Sequence, residues 1–138
     1  SSAASDVYKR QIQELTATTR KQLQKSWHYM RGLEYYEQKK YREAIMEFQS
    51  VLNLDPGYQK AGEYLRLATV QLSPEQKFPS EEVLRLYYQG MEYYLNEEFE
   101  KAIAVWEELL KLDPYNQNAI RNIEDARRKL EKIKSQKR

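Results

Sequence analysis

One phrase occurs twice in this chain. Residues 29–56 read YMRGLEYYEQKKYREAIMEFQSVLNLDP, and residues 87–114 read YYQGMEYYLNEEFEKAIAVWEELLKLDP. Gly32 answers to Gly90, Ala44 to Ala102, Phe48 to Trp106 and Pro56 to Pro114, always 58 residues apart. A repeat at fixed offset constrains the fold strongly, because each copy is one supersecondary unit that buries its apolar face on a neighbour. Within each copy the apolar residues recur at helical spacing on both sides of a short polar turn, Asn96-Glu97-Glu98 in the second. A further stripe follows each copy: Ala61, Leu65, Ala68 and Leu72, then Ala119, Ile123, Ala126 and Leu130, extended by Ile133. The unit is therefore three helices, said twice.

Each repeated position has a physical role. Gly32 and Gly90 sit inside helices, where glycine costs about 1 kcal/mol relative to alanine, so close approach by the neighbouring helix is expected there. Ala44 and Ala102 are expected at the same crossing. Tyr41 and Phe99 open the second helix and should pack back on the first. Asp55 and Asp113 are read as N-caps with proline at the first helical position, ending one helix and starting the next. These positions resemble the tetratricopeptide repeat, a 34-residue helix-turn-helix unit. Gly32/Gly90, Tyr35/Tyr93, Tyr41/Phe99, Ala44/Ala102, Phe48/Trp106 and Pro56/Pro114 carry the resemblance. The family's leading tryptophan position holds His28 and Leu86, and its first-helix leucine position holds Arg31 and Gln89. The resemblance implies an all-α array of antiparallel helix pairs in right-handed superhelical stacking, here two three-helix units.

The rest of the chain divides around these units. Residues 1–11, SSAASDVYKRQ, resemble a translated sequencing adaptor and are set aside, with the natural protein expected to continue upstream. Residues 12–24 read as a partial leading helix: Ile12 and Leu15 suggest a last turn, residues 16–19 a loop or N-cap, and a new helix starts near Arg20. Unit 1 spans 25–72. The linker 73–80 contains two prolines, and Ser80 caps the next helix ahead of Glu81 and Glu82. Unit 2 spans 81–134 and 135–138 is a basic tail, with Lys134 to Arg138 expected to fray.

Catalytic chemistry finds little support. The single histidine, His28, occupies a packing position where the second copy has Leu86, and a structural role is expected. There is no cysteine, so no disulfide or thiolate chemistry, and both cytoplasmic and periplasmic settings fit. No calcium loop, zinc cluster or phosphate cradle is present, so neither cofactor nor metal is expected and the chain reads as a non-enzyme. No apolar run is long enough to span a bilayer, so no transmembrane segment is expected.

Net charge is +2. Residues 75–110 carry nine acids and three bases, and residues 121–138 eight bases and three acids. This asymmetry suits head-to-tail self-association, or an anionic-surface tether through the last helix, but specific nucleic-acid binding is not expected. Solvated helix faces are the plainer account.

In the resembled family, ligand peptides lie in the concave groove of the first helices. The matching positions are Tyr29, Leu33 and Tyr36, with Tyr87, Met91 and Tyr94. They would make an aromatic groove for a protein or peptide partner, tyrosine offering rigid apolar area with a polar tip. Members that grip a C-terminal carboxylate use lysine and asparagine at such positions, and neither is present there. The same stripe could equally be core, which leaves a purely structural assembly segment as the alternative to a binding scaffold.

Overall fold

A computed structural model of the chain describes residues 2–137, apart from the side chains of residues 12, 13 and 15. Six helices follow one another: α1 (Ser2–Glu37), α2 (Tyr41–Leu54), α3 (Gln59–Gln71), α4 (Glu81–Leu95), α5 (Phe99–Leu112) and α6 (Gln117–Gln136). Among the described residues there is no strand. α2 packs on α1 and α3, α5 packs on α4 and α6, and the two three-helix units meet through α1 and α2 on one side and α4 and α6 on the other. The all-α repeat fold is as the periodicity indicates.

The repeated glycines and alanines lie in the core, whereas Pro56 and Pro114 are exposed in the turns. A Cβ on Gly32 would lie 2.6 Å from Phe48 Cε1, and one on Gly90 would lie 2.1 Å from Trp106 Nε1. Thus an aromatic ring of the partner helix fills the space that glycine leaves open, and Trp106 Nε1 donates to the Tyr87 carbonyl at 3.3 Å. Ala44 and Ala102 are fully buried. Tyr41 meets Tyr36 at 5.5 Å between ring centroids, and Phe99 meets Tyr94 at 5.3 Å. The hairpin turns place Lys39 and Glu97, again 58 residues apart, at φ 60, a left-handed backbone on a non-glycine residue in each copy. Pro56 and Pro114 follow the C-caps of α2 and α5.

Two expectations are corrected. Residues 16–19 are not a loop, for α1 runs unbroken through them from Ser2 to Glu37. No proline interrupts this stretch, and Thr18 Oγ1 donates to the Glu14 carbonyl at 3.0 Å, so its hydroxyl is satisfied inside the helix. The aspartates do not cap the third helices: Asp55 and Asp113 are C-caps, and an Asp-Pro turn separates them from α3 and α6. The Tyr58 and Asn116 amides close that turn onto the Asp55 and Asp113 carbonyls at 3.1 Å each. Asn116 then caps α6, its Oδ1 accepting from the Ala119 amide at 2.9 Å. Ser80 caps α4 as read, accepting from the Val83 amide at 3.2 Å.

Candidate functional site

The tyrosine stripe does not form one open groove. In unit 2, Tyr87 is fully buried and Met91 is 2% exposed, both covered by unit 1. Tyr94 packs against Phe99 and Trp106, donates to Asp125, and receives a hydrogen bond from Lys129. In unit 1, Tyr29, Leu33 and Tyr36 are half-buried on a cluster with Phe48, Tyr58 and Tyr64. Tyr64 stacks on Phe48 at 5.4 Å, and Tyr29 meets Tyr58 edge-on at 5.4 Å. The packing signature Gly32, Ala44, Phe48, Gly90, Ala102 and Trp106 lies beneath these faces as core. Of the six groove residues, Tyr87 and Met91 are thus sealed, while Tyr94 of unit 2 and all three of unit 1 stay half-buried.

What seals unit 2 is a buried polar network around Glu47, a residue that periodicity alone passes over. Glu47 is on α2 and has no exposed surface. His28 Nδ1 on α1 donates to its Oε2 at 2.5 Å. From unit 2, the Tyr87 hydroxyl and Asn118 Nδ2 donate to its Oε1 at 2.6 and 2.9 Å. Arg31 Nη1 donates to Asn122 Oδ1 at 2.7 Å, and Asn122 Nδ2 donates to the Tyr87 hydroxyl at 3.1 Å. Burial alone would raise the Glu47 carboxyl, but the His28 and Arg31 charges and the hydrogen bonds overrule it and hold it down at about 2. Burial, with Glu47 alongside, pushes the Tyr87 hydroxyl well above its usual value. Desolvation would lower Arg31, yet Glu47 reverses this and keeps it firmly cationic.

The rim of the seam carries ordinary ion pairs. Arg42 meets Asp113 at 2.7 Å, and Arg121 lies 3.7 Å from Glu34 while donating to the Tyr35 hydroxyl at 3.3 Å. These half-exposed pairs orient the units more than they stabilise them. On the basic end of α6, Arg127 pairs with Glu107 at 3.1 Å and Arg128 with Asp125 at 3.3 Å, so much of its charge is answered within the fold.

A cleft of about 600 Å³ opens between α1, the end of α2 and α4, lined in part by Arg20, Lys21, Gln24, His28, Tyr88 and Glu92. His28 Nε2 and the Nε and Nη2 of Arg31 are buried without a hydrogen-bond partner among the described residues, although the Arg31 guanidinium lies 4.2 Å over the Trp27 ring. Among the described residues no group of three metal-ligating side chains converges, and no helix is long and apolar enough to cross a membrane.

The seam residues carried one unused signal. At positions paired by the 58-residue offset, Glu47 stands against Val105, Asn118 against Lys60, and Asn122 against Tyr64. Copies that agree in packing but disagree in polarity mark where one copy does something the other does not.

Models of the tetratricopeptide repeat match two stretches, residues 28–58 and 83–116. No curated protein and no solved structure matches the chain.

Proposed function

The chain belongs to the tetratricopeptide-repeat family, and from that premise we propose a protein-interaction scaffold that takes a helical segment of a protein partner on the tyrosine face of unit 1. Repeats of this family are generally protein–protein interaction modules and typically non-enzymatic scaffolds. The observation that supports the finer reading is the seam. The face of unit 2 around Tyr87 and Met91 already holds a helix pair, α1 with α2, and buries both residues. The face of unit 1 around Tyr29 and Leu33 has the same construction and is only half-buried. Its aromatic plate is braced from beneath by Phe48, so a partner loses little freedom in docking on it.

Immobilised chain compared with its Tyr29→Ala/Tyr58→Ala variant tests this. Partner capture should fall at least tenfold while the helical circular dichroism is kept. Undiminished capture would move the binding surface elsewhere, with the α1–α4 cleft next to be probed.

A further inference from the structure

The seam is a working example of what this repeat face holds. One carboxylate, Glu47 of unit 1, is gripped by two donors from unit 2, the Tyr87 hydroxyl at 2.6 Å and Asn118 Nδ2 at 2.9 Å. Beside it Arg121 of unit 2 reaches Glu34 of unit 1 at 3.7 Å. Going back 58 residues places Tyr29 where Tyr87 stands, Lys60 where Asn118 stands, and Glu63 where Arg121 stands. Lys60 and Glu63 are exposed, and neither they nor the Tyr29 hydroxyl have a hydrogen-bond or ion-pair partner among the described residues. By that offset the open face offers a tyrosine and a lysine where the seam has a tyrosine and an asparagine, the lysine being the stronger donor, and Glu63, which already bears on the Tyr29 hydroxyl, reverses the neighbouring charge.

Resting on the scaffold reading above, we infer that the face of unit 1 reads charge: it takes a partner helix that sets a carboxylate between Tyr29 and Lys60 and a basic side chain against Glu63. Asp55 asks for nothing further, since Lys25 already pairs with it at 3.1 Å.

A second copy of this chain is the obvious rival occupant, and its charges are wrong. The face it would offer, the unit 2 counterpart of the α1/α2 surface, has Val105 in the place of Glu47, so no carboxylate enters the grip. Glu92 stands where Glu34 does and would meet Glu63. Like charges set opposite each other at an interface reject the partner that brings them. The same surface that welcomes an acidic-and-basic helix thus keeps the chain from stacking on itself.

The chain can be made its own probe. In sedimentation velocity the wild type should remain monomeric, while Val105→Glu/Glu92→Arg, which supplies the missing carboxylate and the missing cation, should self-associate with concentration. Adding Tyr29→Phe or Lys60→Ala to that variant should weaken association about tenfold each, and raised salt should weaken it further. A double variant as monomeric as the wild type, association indifferent to Tyr29 and Lys60, or a wild type that already stacks through this face would each overturn the inference. A second measurement does not depend on that variant folding: a stapled helical peptide of residues 41–54 is titrated against the intact wild-type chain. Its Glu47→Gln form should bind about tenfold more weakly, and equal signals for the two peptides, absent binding included, would overturn the inference. Should Tyr29→Ala/Tyr58→Ala abolish partner capture while that Glu47→Gln exchange is silent, the face binds but does not read carboxylates. That result sinks this inference and leaves the scaffold reading standing.

Discussion

Unit 1 and unit 2 are built from the same text, yet Tyr87 is sealed in the seam while Tyr29, its counterpart, keeps part of its surface open. The apolar frames agree: both copies slot a ring over a helical glycine, bury an alanine and turn on a left-handed residue. The difference lies in a handful of polar positions. Unit 1 contributes His28, Arg31 and Glu47, unit 2 contributes Tyr87, Asn118 and Asn122, and neither set has its match in the other copy apart from the tyrosine. Apolar positions thus specify how a unit is built, and polar ones which face meets which. A buried charge is tolerable only where its partners are present, so the network favours one docking and penalises alternatives.

That comparison breaks most sharply at Glu47. Glu47→Ala leaves the buried Arg31 cation and the buried His28 ring without their carboxylate, and should cost about 3–5 kcal/mol in denaturant unfolding. Val105→Ala, the same position in unit 2, is half-buried and removes only methyl groups, so about 1 kcal/mol is expected there. Comparable costs at the two sites would mean the seam is not where the units differ.

Acid should expose the same asymmetry. A carboxylate held below its ordinary value contributes stability above pH about 4.5, and that contribution is lost as pH falls towards about 2. The wild type should therefore lose stability across this window, while Glu47→Gln shows a visibly shallower acid limb in thermal melts. Identical limbs would place the acid sensitivity elsewhere.

The smallest effect refines the comparison rather than breaking it. Tyr87→Phe removes one donor to a buried carboxylate and should cost about 1–3 kcal/mol, whereas Tyr29→Phe, whose hydroxyl has no hydrogen-bond partner among the described residues, should stay within about 0.5 kcal/mol. Addition of a bound partner should bring the Tyr29 value up towards that of Tyr87.

Much of this was legible beforehand. The 58-residue offset and its glycine, alanine and aromatic positions follow from text alone, as does the Ser80 cap, because each is a local matter of spacing and backbone need. At residues 16–19 three β-branched threonines read as a break. Nothing in the segment forbids helix, however, and α1 carries straight on. Core and groove stay indistinguishable in the tyrosine stripe for another reason. Periodicity says that Tyr87 and Met91 face inward from a helix, but whether that side looks at solvent or at another unit depends on how two units dock.

The repeated sequence by itself determined that the chain folds as two like three-helix units, since helical periodicity and the glycine–aromatic pairings act within about 20 residues of one another. Only the tertiary structure decided that one copy's tyrosine face is spent on the other copy and the second left partly open. That choice rests on side chains 40 to 91 residues apart meeting around one buried carboxylate and the arginine beside it, and no local pattern records such a meeting.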